Sequence, residues 1–256
     1  LFCLQCGPWG GRDMPYRTLD PDQIVATLAQ LHARIEERFP EAGLTQVAAG
    51  LTEVATLTKA RVARLARPYL WLRIGSIIVI VIGLLAIAYV ASIIEYKRGT
   101  DNLFGVLQGI DALLNVVVAS GVAIFFLTTI ESRWKRHQAL EHLHELRTIV
   151  HVIDMHQLTK DPSTVVAGAQ RTRSSPAHAM TPYELLRYLD YCSEMLSLSA
   201  KVATLYAQVS RDSVVINAVT EVEQVSANLS HKIWQKITLV DVASPAADTG
   251  SARPPS

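Results

Sequence analysis

Apolar residues run from Ile74 to Ile94, a stretch of 21 residues that contains no charged side chain and no proline. Thirteen of these residues are Ile, Leu or Val. A helix of this length rises ~31 Å, because each residue adds ~1.5 Å, and this matches the hydrocarbon core of a bilayer. The pattern predicts a membrane-spanning helix over about 74–94.

A second apolar run follows after a short polar loop. Residues 112–130 carry no charge and include eleven Ile, Leu, Val or Phe residues, and the stretch just before them is apolar apart from Gln108 and Asp111. The aliphatic residues outweigh the ~3 kcal/mol that a carboxylate costs at membrane depth. We therefore expect a second span over about 110–130 and a transmembrane hairpin over 71–131.

Basic residues are distributed unequally around the two runs. Five precede the first run, namely Lys59, Arg61, Arg64, Arg67 and Arg73, and four follow the second, namely Arg133, Lys135, Arg136 and Arg147. The loop between the runs holds only Lys97 and Arg98. The positive-inside rule then places both termini in the cytoplasm. We expect a multi-pass protein of a bacterial inner (plasma) membrane, with the lipid bilayer as its first partner.

The residues before the first run show apolar side chains at every third or fourth position, which is typical of amphipathic helices. Ile24, Leu28, Leu31 and Ile35 follow Asp20, a possible N-cap, and Pro21, which suits the first helical position. A second helix is expected over about 44–67. The two helices predict an N-terminal cytoplasmic helical hairpin over 20–70.

The residues after the second run predict three more helices. Ala139, Leu143, Leu146, Val150 and Ile153 form a coiled-coil seam on a helix over about 132–158. Thr181-Pro182-Tyr183-Glu184 is a capping box that starts a helix ending near 210, and a last helix runs over about 213–239. We expect a cytoplasmic three-helix bundle over 132–240 with a loop at about 159–180. No segment alternates like a strand, so the predicted fold class is an all-α integral membrane protein.

The two ends of the chain lack such patterns. Residues 1–19 read as a disordered or non-native N-terminal extension, because the chain opens with Leu and its first Met is Met14. Residues 241–256 read as a disordered tail. Cys3 and Cys6 form one CxxC, a weak zinc or redox signal without a second pair, and Cys192 reads as a small apolar side chain.

The composition excludes several functions. The formal net charge is only +1, whereas nucleic-acid-binding domains carry a basic excess, so we expect no nucleic-acid partner. No Walker loop, GxGxxG, nucleophile elbow or paired carboxylates occur, so the sequence predicts no catalytic residue, no cofactor and no enzyme activity.

Five histidines lie on the predicted helix over 132–158. His137, His144 and His151 are seven residues apart and share one stripe, so they are candidate pH-sensing residues; the alternative is that they are simply exposed at the edge of the bundle. Residues at this spacing lie ~10.5 Å apart along a helix, too far to share one ion, so we expect no metal site.

Gln108, Asp111 and Asn115 have the spacing i, i+3, i+7 and form a candidate intramembrane polar face. This face could serve an ion or a proton. Alternatively, Asp111 lies at the outer interface, while Gln108 and Asn115 form hydrogen bonds between helices. Candidate helix-packing residues are the small ones at four-residue spacing: Gly105, Gly109, Ala119 and Ala123.

These observations together predict a membrane-anchored helical scaffold or protein-interaction protein. We expect a homo-oligomer, because the cytoplasmic helices have more apolar seam than one hairpin buries, and a cytoplasmic protein partner is a further expectation. The alternative is a small oligomeric cation channel or transporter subunit with Asp111 on its pore-facing side.

Overall fold

The computed structural model describes residues 18–67, 70–96, 103–160, 162 and 180–243. These residues form six helices and no strand, which confirms the all-α prediction. The helices are α1 (Pro21–Arg38), α2 (Gly43–Ala66), α3 (Leu70–Tyr96), α4 (Leu103–Leu158), α5 (Pro182–Val209) and α6 (Ser213–Ala243). Most of the predicted N-terminal extension with its CxxC, most of the predicted loop and most of the predicted tail lie outside the described residues.

Local hydrogen bonds explain where two of the helices begin. Asp20 Oδ1 accepts a hydrogen bond from Asp22 N at 2.9 Å and caps α1. In the capping box of α5, Glu184 N donates to Thr181 Oγ1 at 3.2 Å, and Thr181 N donates to Glu184 Oε2 at 2.8 Å. The hydrogen bonds from Thr181 lower the pKa of the Glu184 carboxyl. Both starts lie where the sequence predicts them, because capping depends on neighbouring residues alone.

The described residues divide into two compact units, one made of those up to Val62 and from His142 onward and the other of those from Ala63 to Glu141. In the first unit α1, most of α2, the last part of α4, α5 and α6 build one helical bundle. Its core includes Ile35, Leu51, Leu146, Leu189 and Ile233, all at most 1% exposed. The sequence analysis treated 20–70 and 132–240 separately and did not predict that they share a core.

Helix α5 occupies the centre of this bundle and packs closely against α1 and α6. Thirteen of its 28 residues are buried, which is more than one apolar stripe provides. Tyr191, Leu198 and Leu205 are buried in addition to the stripe that includes Tyr188 and Cys192. A helix that is buried on most sides needs neighbours on most sides.

In the second unit α3 lies antiparallel to the first part of α4. A Cβ added to Gly75 would lie 3.9 Å from Leu127 Cδ1, and one added to Gly83 would lie 2.8 Å from Ser120 Oγ. Residue numbers thus rise along α3 while they fall along α4. The two backbones approach closely at Gly83 because this residue has no side chain.

Within the described side chains, one helix is long and apolar enough to cross a membrane, and it is the apolar part of α4. No part of its most apolar stretch is buried within the chain. In α3 the apolar run of described side chains, Ile74–Tyr89, is shorter. The two-span hairpin stays a prediction at this point.

Candidate functional site

The predicted polar face lies on the outer surface of α4. Gln108, Asp111 and Asn115 are all exposed, and Asn115 Nδ2 donates to Asp111 Oδ2 at 3.5 Å, one turn away. The contacts with α3 are made by Ser120 and Leu127, which lie on another side of the helix. The three polar side chains therefore share a face that points away from α3.

The register of the hairpin gives the level of Asp111 along α3. Asp111 precedes Ser120 by as many residues as Ser92 follows Gly83, and Gly83 contacts Ser120. Because both helices rise equally per residue, Asp111 lies beside the turn that contains Ser92. This turn is close to the end of α3 at Tyr96.

The predicted helix-packing residues have different surroundings from one another. Gly109 and Ala123 are half-buried and Ala119 is exposed, whereas the surroundings of Gly105 lie outside the described residues. The close approach occurs instead at Gly83, which is buried. The only sequence signal for Gly83 was a single glycine within an aliphatic run.

The candidate pH-sensing residues His137, His144 and His151 are all exposed. Two other histidines of α4 lie in packed positions. The ring of His142 is 6.3 Å from that of Tyr206, and a Cβ added to Gly43 would lie 2.5 Å from His156 Cε1. Among the described residues no three His, Cys, Asp or Glu side chains are grouped as metal ligands.

A polar cluster joins α2, α4 and α5. Arg61 Nη1 donates to Glu145 Oε2 at 2.8 Å, and Tyr206 Oη donates to Thr58 Oγ1 at 3.4 Å. Burial raises the pKa of Tyr206, although Thr58 and Arg61 act in the opposite direction. Burial is the largest single influence on the pKa of Arg61 and acts to lower it, but the interactions with Glu145 and Tyr206 together outweigh burial and the pKa rises. The cluster stabilises the contact between these three helices.

A second polar contact caps the C-terminal end of α4. Lys236 Nζ of α6 donates to Gln157 O at 3.0 Å and to Gln157 Oε1 at 2.7 Å. A cation at a helix C-terminus satisfies carbonyl groups that have no partner within the helix. Nearby Cys192 is fully buried, and burial raises the pKa of its thiol to about 12, so it is unreactive at neutral pH.

Charged and aromatic side chains of α1 and α5 line a groove of about 430 Å³. The lining residues are Arg34, Glu37, Arg38, Arg187 and Tyr191, and we call this the arginine groove. The guanidinium carbons of Arg34 and Arg187 lie 6.0 Å and 4.9 Å from the centre of the Tyr191 ring. Both distances are within cation–π range.

Carboxylates hold two of these arginines in place. Arg34 Nη2 donates to Glu194 Oε2 at 2.8 Å, and Arg187 Nη1 donates to Asp190 Oδ2 at 2.7 Å. The interaction with Tyr191 and the charge of Asp190 raise the pKa of Arg187, although burial opposes them.

The third arginine is held differently. Arg38 lies over the ring of Tyr183 at 5.4 Å and forms no ion pair with a described residue. The four-residue spacing of Arg34 and Arg38 was visible in the sequence, but their pairing with α5 was not. The arginine groove was therefore missed.

No protein-family model, curated protein or solved structure matches the chain. Its function is therefore inferred from its own residues. The described chain offers two polar sites of different character, the exposed polar face of α4 and the arginine groove of the bundle.

Proposed function

We propose that the chain is a membrane-anchored helical scaffold or protein-interaction protein of a bacterial inner membrane. A two-span hairpin over about 74–94 and 110–130 would hold the helical bundle in the cytoplasm. The protein would associate with copies of itself and with a cytoplasmic protein, and it would catalyse no reaction.

One observation carries the proposal, which is the exposure of large apolar side chains on α3 and on the first part of α4. Leu85 is 64% exposed, Leu114 is 61% exposed and Phe125 is 68% exposed. Monomeric soluble proteins rarely expose contiguous apolar surface of this extent, and such surface is typical of contact with lipid or protein. Within both helices the backbone groups bond to one another, as a bilayer requires.

The bundle supports the scaffold part of the proposal. Its core draws on five helices. The chain thus combines a lipid-compatible hairpin with a packed helical unit that could present surfaces to a partner.

Topology reporters test the proposal directly. Fusions near residues 20, 98 and 245 should place only the middle reporter outside the cytoplasm, because the basic residues lie mainly outside the loop around Lys97 and Arg98. The protein should also stay in the membrane fraction after alkaline carbonate washing. An external C-terminus, or release by the wash, would contradict the proposal.

The alternative function is an oligomeric cation channel or transporter subunit. The observation that favours it is the exposed Asp111 on the outer face of α4, because several carboxylates around one axis could hold a cation. In proteoliposomes the parent should then pass cations and Asp111→Asn should pass few. Glu141→Gln is the matched control, since it removes an exposed carboxylate of α4 outside the apolar run. Absence of flux in the parent would exclude the alternative.

A further inference from the structure

We propose that the arginine groove binds the phosphate group of a small soluble phosphate ester. The groove lies between α1 and α5, and its volume of about 430 Å³ falls in the range of small-molecule sites. This inference goes beyond the scaffold function and does not depend on how the hairpin sits in a membrane.

The first argument is the supply of hydrogen-bond donors. Each of the two ion pairs uses one guanidinium nitrogen, Nη2 of Arg34 and Nη1 of Arg187. A guanidinium has further N–H groups, and their fork geometry suits phosphate oxygens. Glu194 and Asp190 fix the direction of the side chains without using all of their donors.

The second argument is the arrangement of charge. Three guanidinium groups and the carboxylate of Glu37 line the groove, and Glu194 and Asp190 pair with Arg34 and Arg187 from outside the lining, so the charge of Arg38 is the one without an ion pair to a described residue. Arg38 has no carboxylate partner among the described residues and lies over the exposed ring of Tyr183. The side of the groove near Arg38 is therefore the most favourable place for an anion.

The third argument concerns the source of the phosphate. The arginine groove lies at the end of the bundle where Phe39 packs against Tyr188, with ring centres 5.5 Å apart. The chain leaves the bundle at the other end of α2, beyond Val62. Residues 43–62 of α2 span ~30 Å, so the groove is remote from that exit. The groove therefore consists only of bundle residues, and a small soluble ligand would need no contact with the part of the chain beyond Val62.

Glu37 narrows the class of ligand. Its carboxylate repels a bare anion but accepts a hydrogen bond from a hydroxyl or ammonium group. A phosphate ester that carries such a group would satisfy both Arg38 and Glu37. For inorganic phosphate, which carries no such group, Glu37 should only weaken binding.

Isothermal titration calorimetry tests the roles of Arg38 and Glu37. Inorganic phosphate is titrated into the full chain in detergent, and sodium chloride keeps the ionic strength constant. The parent should bind with a dissociation constant of about 1 mM or tighter. Arg38→Gln should bind about tenfold more weakly, because a charge-assisted hydrogen bond is lost. Glu37→Gln should bind about fivefold more tightly, because a repulsive charge is removed.

Arg211→Gln is the matched control, since Arg211 is exposed, lies outside the groove and has no ion pair with a described residue. Its affinity should equal that of the parent, and all four proteins should show the same helical content. Vesicles that contain phosphatidylglycerol test whether the groove binds a lipid headgroup instead. Inorganic phosphate should bind to the protein whether or not these vesicles are present. The proposal is overturned if the parent binds no phosphate, if Arg211→Gln loses as much affinity as Arg38→Gln, or if only the vesicles bind.

Discussion

Single polar side chains decide several contacts of the bundle that apolar spacing does not reveal. Gln157 is only 1% exposed, yet its carbonyl and amide oxygens both accept from Lys236 of another helix. A buried polar group without such a partner would cost free energy. Lys236 thus acts as a positioning residue for the end of α4.

Replacing Lys236 tests this contact. Lys236→Met keeps much of the side-chain length but leaves the Gln157 oxygens without the ammonium group. We expect the free energy of unfolding to fall by about 1–3 kcal/mol, measured by denaturant titration of helical circular dichroism. Lys232→Met is the control, because Lys232 is exposed and should lose less than about 0.5 kcal/mol. Equal losses in both variants would show that the contact does not stabilise the bundle.

The buried thiol of Cys192 makes a prediction about pH. Its pKa is raised to about 12 by burial, whereas an unfolded thiol titrates near ~8.5, so the unfolded chain releases its proton first as the pH rises. The contribution of this thiol to the free energy of unfolding should therefore be fully present below about pH 8.5 and should decrease as the pH rises toward 12. Cys192→Ala should show a shallower loss between pH 8.5 and 10.5 in denaturant titrations. An unchanged slope would contradict the assigned burial of the thiol.

At the scale of elements, α4 shows how one helix serves two surroundings. Its 56 residues run through both compact units. The seam residues Leu143, Leu146, Val150 and Ile153 are all buried, as their spacing predicts, whereas Leu114 and Phe125 in the first part of the helix are exposed. Apolar residues of one continuous helix are thus buried in a protein core in one unit and exposed on the surface in the other.

A charge placed on the buried side of α4 should unfold the bundle. Val150 is 1% exposed, so Val150→Asp puts a carboxylate among apolar side chains and should cost several kcal/mol. Val152 lies on the opposite side and is 37% exposed, so Val152→Asp is a control with the same chemistry. The melting temperatures of the two variants should differ by more than about 5 °C, because a difference of several kcal/mol in the free energy of unfolding shifts the melting temperature by at least this much. Equal melting temperatures would show that the helix is rotated from its assigned position.

For the whole molecule, the number of subunits in the proposed homo-oligomer is the measurement that best separates the scaffold from the channel. Asn115 lies on the exposed polar face of α4, and an amide in a lipid environment gains from a hydrogen bond to another helix. Mass photometry in nanodiscs should show a dimer of the parent and weaker association of Asn115→Leu, by about 1 kcal/mol. Val117→Leu changes an exposed residue on another side of α4 and should associate like the parent. A monomer would contradict self-association, and a ring of five or more would favour the channel.

The sequence alone determined the all-α class and the starts of α1 and α5, but it divided α4 into a span over about 110–130 and a helix over about 132–158, which the structure shows as one helix. Caps at Asp20 and Thr181 depend on residues two or three positions away, and long apolar runs determine helix type through their own spacing. Such short-range information is complete in the sequence. The apolar character of residues 74–94 and 112–130 is likewise determined by the sequence alone.

Only the tertiary structure decided which helix faces meet. Arg34 and Arg187, which line one groove, are more than 150 positions apart in the chain, and Gln157 meets Lys236 across two helices. Periodicity shows that a helix has a buried side but not which neighbour covers it, because many pairings bury similar apolar area. The arginine groove, the shared core of α1, α2 and α5, and the approach at Gly83 all depend on that choice of neighbour.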